Sequence, residues 1–303
     1  MKRTLLVAAS TLLAAAVAAP PATTQRSFAT PKAAADALVA AAEPFDVPAL
    51  LEILGPDGKE LVGTGDKVLD ENQAAEFAKQ AKAKLAIQTD PAKPNRAILI
   101  VGTEDWPMPI PVVKGTAGWR FDTAAGKTEI LIRRIGRNEL DAIDICRGYV
   151  EAQEEYASEP RGASKVTQYA QRVIGTADKQ DGLAWRDVDG TWRGPIGEKI
   201  ALAIDEGYSF RADPYHGYYF KILKGQGSHA PLGQLDYVVE GVMIGGFALV
   251  AAPADYRVTG VKSFLVSHDG VVYEKDLGPK TLETFRMMES FDPDSTWRVV
   301  PED

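Results

Sequence analysis

Apolar residues recur at helical spacing in the first part of the chain and at strand spacing after residue 96. A helix is predicted over 31–41, because Thr30 can cap it and Pro31 suits its first position. Two more helices are predicted, at 46–54 and 71–85. A buried strand at 97–101 and a hairpin formed by 110–114 and 118–122 are predicted to follow them. This part is therefore predicted to pack helices on a curved antiparallel sheet.

The second part of the chain is dominated by a long helix pattern over 138–156. One side of this helix should lie against a sheet, since its apolar positions recur at spacings of three and four: Ala142, Ile145, Cys146, Tyr149, Ala152, Gln153 and Tyr156. Gly148 costs helical stability, so we expect another backbone to approach closely there. Residues 130–137 are expected to be a connector.

Strand patterns follow the long helix, with short helices predicted at 196–206 and from residue 281. The strands are predicted at 217–223, 247–251, 261–267 and 271–274, the last two joined by a turn at His268-Asp269-Gly270. The predicted fold class is therefore α+β in both parts, with the long helix packed on an antiparallel sheet.

The first 22 residues have the pattern of a signal peptide. Lys2-Arg3 precede an uncharged run from Leu5 to Val17, and small residues permit cleavage after Ala18 or after Ala22. A membrane anchor is the alternative, but the run is shorter than the roughly 20 residues that a bilayer crossing needs. We expect a periplasmic or extracellular protein with domains at 23–132 and 133–303 and no stable membrane insertion after cleavage.

The net charge and the cysteine content limit which partners and which reactive groups we expect. The formal charge is −8, and it becomes −10 without Lys2 and Arg3. Nucleic acid is therefore not expected as a partner, because its phosphates would be repelled. Cys146 is the single cysteine, and its place on the inner helix face favours packing over a reactive thiol.

Several pieces of the second half resemble the globular part of a type IV pilin or pseudopilin. They are the helix at 138–156 and, in order, Gly217-Tyr218, Ala251-Ala252-Pro253, Thr259-Gly260 with Phe264, and Asp269-Gly270-Val271. In pilins an apolar membrane half precedes this helix, whereas here Arg133, Arg134 and Arg137 stand before it. The resemblance implies a helix laid on an antiparallel sheet and a protein that makes interfaces.

Two further resemblances concern the first half and the whole chain. The first half is similar in layout to the cone-shaped nuclear-transport-factor-two-like fold, mainly through Gly118-Trp119-Arg120-Phe121-Asp122. From residue 28 onward the chain resembles the bacterial domain of unknown function 2950 family, in five runs: 106–114, 133–140, 214–218, 245–249 and 271–278. That family brings no established activity.

The side chains that could carry chemistry are few and scattered. The three histidines have no metal-ligand spacing, so no metal or other cofactor is expected. Ser228-His229 is interpreted as a polar loop, because adjacent residues rarely point at each other. His216, beside Tyr215, has two interpretations: it transfers a proton or contacts a ligand, or it caps a strand.

The remaining candidate interaction residues are aromatic and basic. Trp106 lies in a proline-rich run that either docks a partner or forms a rigid bend, and Trp185 lies in a polar loop. The cluster of Arg133, Arg134 and Arg137 either contacts an acidic ligand or forms a salt-bridged face. We expect a non-enzymatic binding or scaffold protein of the bacterial envelope, with an envelope protein as partner. The alternative is a small-molecule-binding or hydrolytic protein with a pocket in the first half, lined by Trp106 and Trp119.

Overall fold

The structure is a computed structural model that describes residues 25–161, 165–176, 179–196 and 214–301. The chain divides into two compact units, Met1–Glu129 and Ile130–Asp303. The predicted signal peptide and nearly all of the helix predicted at 196–206 lie outside the described residues. Within the described part of the chain, no helix has the length and apolar character that a bilayer crossing requires.

The helices of the first unit begin where capping residues satisfy their first backbone N–H groups. The side chain of Thr30 accepts a hydrogen bond from the N–H of Ala33, and that of Asp46 accepts one from Ala49, each at 3.1 Å. The helices are α1 Pro31–Ala42, α2 Val47–Leu54, α3 Lys59–Val62 and α4 Lys67–Ala83, with a 3₁₀ turn at Pro56–Gly58. The three predicted helices are confirmed, but both ends predicted for the third are wrong: Asp66 caps it four residues earlier, at Lys67, and Leu85 already starts a strand.

The sheet of the first unit has five antiparallel strands, in the order β1-β2-β4-β5 with β3 beside β2. Its strands are β1 Leu85–Asp90, β2 Lys93–Val101, β3 Trp106–Pro107, β4 Val112–Gly115 and β5 Gly118–Phe121. The predicted strand and hairpin are confirmed. Apolar side chains of the helices and the sheet form the core of this unit, among them Leu38, Ile53, Leu99 and Phe121.

A single helix, α5, runs from Thr123 to Ala157. It starts earlier than predicted because the Asp122 side chain accepts a hydrogen bond from the N–H of Ala125 at 3.1 Å. Residues 130–137 are therefore helical, and they follow directly on the boundary between the two units, so the expected connector is part of the helix. The expectation for Gly148 is also wrong, since a Cβ atom there would meet no atom within 4 Å.

The predicted inner face of α5 is confirmed in the second unit. Ile145 is half-buried and packs against the core, and the other six residues are buried: Ala142, Cys146, Tyr149, Ala152, Gln153 and Tyr156. The buried Gln153 is satisfied, because its Nε2 donates to Tyr149 Oη and to the Ala170 carbonyl while its Oε1 accepts from the Ala170 N–H, all at 2.8 Å. Burial raises the pKa of the Cys146 thiol to about 12, as expected for a packing residue.

The main sheet of the second unit is antiparallel, with the order β16-β15-β14-β13-β8. These strands are β8 Tyr218–Leu223, β13 Ala248–Pro253, β14 Lys262–Ser267, β15 Val272–Asp276 and β16 Arg298–Val299. Among the described residues of this unit, six two-residue strands are also present: β6 Trp185–Arg186, β7 Trp192–Arg193, β9 Gly225–Gln226, β10 Leu235–Asp236, β11 Val238–Val239 and β12 Val242–Met243. A 3₁₀ turn at Gly278–Lys280 leads into α6, Thr281–Met287. The predicted strands and the α+β fold class are confirmed.

Candidate functional site

Polar side chains at the start of the predicted long helix fasten α5 to the ends of the sheet. Asn138 Nδ2 donates to the carbonyl of Thr259 at 2.8 Å. Glu139 Oε1 accepts from the N–H groups of Val261 and Lys262 at 2.9 and 3.0 Å. The pattern Asn-Glu-x-Asp therefore serves to place the helix against the loop before β14.

His216 forms the next contact between the sheet and this helix. Tyr215 and Tyr218 exchange two backbone hydrogen bonds of 3.1 and 2.9 Å, and His216 and Gly217 between them have φ of 46° and 75°. Positive φ at both central residues is typical of a type I′ turn, which suits a two-residue hairpin. Gly217 is required there, because a Cβ atom would lie 2.7 Å from Asn138 Nδ2.

The His216 ring is held from two sides. Its Nδ1 is hydrogen-bonded to Oδ2 of Asp141 on α5, and its centroid lies 4.3 Å from that of the Tyr215 ring. A carboxylate that orients an imidazole is also found in proton-transfer sites. Both of these contacts fix the turn and the helix, so they support the strand-capping interpretation of His216.

The outward side of α5 carries the arginine cluster and two exposed aliphatic side chains. Ile132 and Leu140 are 58% and 61% exposed, and Gly136 lies between them one helical turn from each. A Cβ atom at Gly136 would meet nothing within 4 Å. We call Ile132, Gly136 and Leu140 the outer stripe.

Two of the three arginines lie beside the outer stripe, and the third lies on another side of the helix. At 3.6 residues per turn, Arg133 and Arg137 adjoin the stripe, and Arg137 is also one turn from Asp141. Arg134 lies on the same side of the helix as Asp141. Arg134 and Arg137 are exposed and Arg133 is half-buried. The helix thus places Arg137 one turn from Asp141, the residue that contacts His216.

Trp185 belongs to a different site. It is buried, its Nε1 donates to Asp187 Oδ1 at 3.2 Å, and the guanidinium of Arg161 lies 5.6 Å from its ring centroid. The nearby cavity of about 340 Å³ is lined by Glu155, Arg161, Gln180, Trp185, Asp187, Arg193, Gly194 and Pro195. Tyr215 and His216 do not line it, so the expected interaction residues do not share one cleft.

Trp106 lies in the first unit, in the short strand β3. Its backbone pairs with Val101, and its side chain is 47% exposed. The proline-rich run thus begins with a short strand beside the end of β2. A cavity of about 470 Å³ in this unit lies between α1, α4 and β1, and neither Trp106 nor Trp119 lines it.

The sequence did not reveal which acids His216 and His229 contact. His229 lies in a turn, as predicted, and its backbone N–H and Nδ1 lie 2.8 and 3.0 Å from the two oxygens of Asp292. The hydrogen bond and charge of Asp292 raise the pKa of His229. The two residues are far apart in sequence, so spacing could not have indicated the pair. No group of three or more potential ligands (His, Cys, Asp, Glu) is arranged to hold a metal ion in the ranges that the structure describes.

Comparisons with known proteins give one match. Residues 25–300 match the family model described as "Protein of unknown function (DUF2950)". No curated protein and no solved structure matches the chain.

Proposed function

We propose that this chain, which belongs to the family of proteins of unknown function DUF2950, is a binding or scaffold protein exported to the bacterial cell envelope. In this proposal residues 1–22 direct export and are removed, and the second unit is a pilin-like domain. The arrangement of α5 on an antiparallel sheet supports the pilin-like origin. Helical residues before Asn138 take the place that a membrane segment has in pilins.

The observation that carries the proposal is the outer stripe. Exposed large aliphatic side chains close together on one helix face are typical of an interaction surface. Gly136 leaves a notch in which a partner's backbone can approach the helix closely. The adjoining Arg137, which is exposed, favours a partner whose apolar contact is bordered by a carboxylate, since arginine is enriched at interfaces.

The groups that could have carried chemistry contribute to the fold. Cys146 is buried in the core, and the ring of His216 fastens a turn to α5. His229 bridges its own loop to Asp292. These contacts favour binding over catalysis as the activity of the protein.

Photo-crosslinking in cells tests the binding proposal. A photoreactive amino acid at Ile132 or Leu140 should give a discrete adduct in the envelope fraction. Placed at Val188, which is 92% exposed and outside the stripe, it should give none. The proposal is contradicted if neither stripe position gives an adduct.

A pair of glycine variants separates binding from folding. Gly136→Leu fills the notch and should abolish the adduct at Leu140. Gly148→Leu makes the same chemical change on another side of the same helix and should leave the adduct unchanged. Both positions have open space for a Cβ atom, so both variants should remain folded. Equal adduct yields from the two variants would contradict a role for the notch.

Export is tested at the N-terminus. The secreted protein should begin at Ala19 or Thr23, as read by N-terminal sequencing. Leu12→Arg places a charge in the apolar run and should leave the chain unprocessed in the cytoplasm. Processing of the Leu12→Arg variant at wild-type efficiency would contradict the signal-peptide proposal.

A further inference from the structure

The two edge strands of the first unit's sheet differ in whether another segment of the chain pairs with them. At the β5 edge, Phe28 and Trp119 exchange two backbone hydrogen bonds of 2.7 Å, so a preceding segment of the chain covers that strand. At the opposite edge, β1 pairs with β2 on one side. In the described part of the chain, no backbone group pairs with its other side.

The hydrogen-bond alternation identifies the outward groups of β1. The N–H of Gly102 donates to the carbonyl of Lys84 at 2.9 Å, so the even-numbered residues of this strand bond to β2. Leu85, Ile87 and Thr89 therefore direct their N–H and C=O groups away from the sheet. Such a row of groups is a template for another strand.

The side chains at this edge also favour an added strand. Leu85 and Ile87 are half-buried and line the cavity of about 470 Å³, together with Val39 and Ala40 of α1. β1 lacks proline, and its one irregularity falls at its last step, between Thr89 and Asp90. Proline, bulges and inward charges are the usual protections of a free edge, and the central part of β1 has none of them.

We propose that β1 pairs antiparallel with β1 of a second copy of this chain, with Ile87 on the two-fold axis. In this register Leu85 faces Thr89 of the second copy, and the three outward residues exchange six hydrogen bonds. Lys84 faces Asp90 of the second copy at both ends of the ladder. The strand is thus complementary in charge to itself when it runs antiparallel.

The existing ion pair of Lys84 does not prevent this contact. Its Nζ lies 2.7 Å from Asp105 Oδ1, and both side chains are about half exposed. Exposed pairs of this kind contribute little to stability, so the Lys84 ammonium can be shared with Asp90 of the second copy. The proposal rests on the backbone and charges of β1 and does not depend on export or on the outer stripe.

The proposed register, in which Lys84 faces Asp90 of the second copy, is tested by reversing each charge and then mixing the two variants. Lys84→Glu alone places like charges at both ends of the ladder, and so does Asp90→Lys alone. Each variant should dimerise about tenfold more weakly than the unchanged chain, since cross-strand charge pairs contribute modestly. An equimolar mixture should recover the dimer, because each end then joins opposite charges. Sedimentation equilibrium of the purified chains, alone and mixed, measures this.

Two results would overturn the proposal. One is that the unchanged chain stays monomeric at every protein concentration measured, including the highest at which it remains in solution. The other is a mixture of Lys84→Glu and Asp90→Lys that associates no more strongly than either variant alone, which would assign the edge to a different partner.

A proline pair provides a second readout. Thr89→Pro removes an N–H that faces outward, and the side chain at this position is exposed, so it should abolish the dimer while the melting temperature of the monomer changes little. Gln88→Pro removes an N–H that bonds to β2 and should lower the melting temperature. Dimerisation that survives Thr89→Pro would exclude β1 as the interface.

Discussion

Replacing Gly148 with alanine should raise the free energy of unfolding of the second unit by about 1 kcal/mol. Gly148 lies inside α5, and a Cβ atom there would meet no atom within 4 Å. Alanine therefore adds no clash, and it removes the conformational freedom that glycine has in the unfolded chain. This difference in helix propensity is about 1 kcal/mol in an exposed helix interior.

Denaturation of the purified chain measures this change. For a unit of this size, a gain of about 1 kcal/mol corresponds to a rise of about 2–4 °C in the melting temperature. Circular dichroism follows the helix, and labelling of the Cys146 thiol reports unfolding of the second unit because this side chain is buried.

Gly126 in the same helix is the matched control. Its Cβ atom would lie 2.6 Å from Ile110 Cγ1 and 3.0 Å from Ile110 Cα, so Gly126→Ala should destabilise the chain. Loss of stability in Gly148→Ala would refute the reasoning and restore the idea of a close backbone contact at this glycine.

Three further predictions concern single side chains. The Cys146 thiol should resist thiol reagents in the folded protein at pH 8 and react on unfolding, because burial raises its pKa to about 12; rapid labelling of the native chain would contradict its burial. The pKa of His229, followed by NMR, should lie above its ordinary value and fall in Asp292→Asn. The stabilisation from the protonated His229 is complete below the unfolded pKa of about 6.5 and is lost as pH rises through the folded pKa; a pKa that does not fall in the variant would exclude the pair. Leu232 is 92% exposed with φ of 70°, so Leu232→Gly should raise stability by about 1 kcal/mol; a loss on thermal denaturation would show that the side chain makes a stabilising contact.

The sequence predicted those elements whose apolar spacing is regular and whose ends carry strong signals. Thr30-Pro31 and Asp46 are capping patterns that act locally, so the starts of α1 and α2 followed from them. The inner face of the long helix followed from spacing, because burial on a sheet repeats with the helical period.

Other features depended on contacts that local pattern does not contain. β1 escaped prediction because polar residues fill its second half, where it lies exposed at the edge of the sheet. The early start of α5 depends on Asp122, which looked like the end of a strand. A glycine inside a helix indicates either close packing or open space, and the structure shows open space at Gly148.

The candidate interaction residues do not form one site, and the sequence could not show this because it depends on contacts between distant residues. His216 contacts Asp141 on α5, one turn from Arg137, whereas Trp185 lines a cavity with Arg161 and Asp187. Their positions in the sequence did not indicate which of these residues lie together in the fold. The contact between His216 and Asp141 joins residues 75 positions apart, which spacing along one chain could not show.

The most direct test of the binding proposal compares the envelope crosslinks of His216→Asn with those of the unchanged chain. Asparagine suits a position with positive φ in a type I′ turn, so the variant should fold, while loss of the ring contacts with Asp141 and Tyr215 should lower its melting temperature. If His216 serves the fold and the outer stripe binds the partner, the adduct formed through Leu140 should be unchanged in mass and yield at a temperature where the variant is folded. A folded variant that loses this adduct would contradict the account.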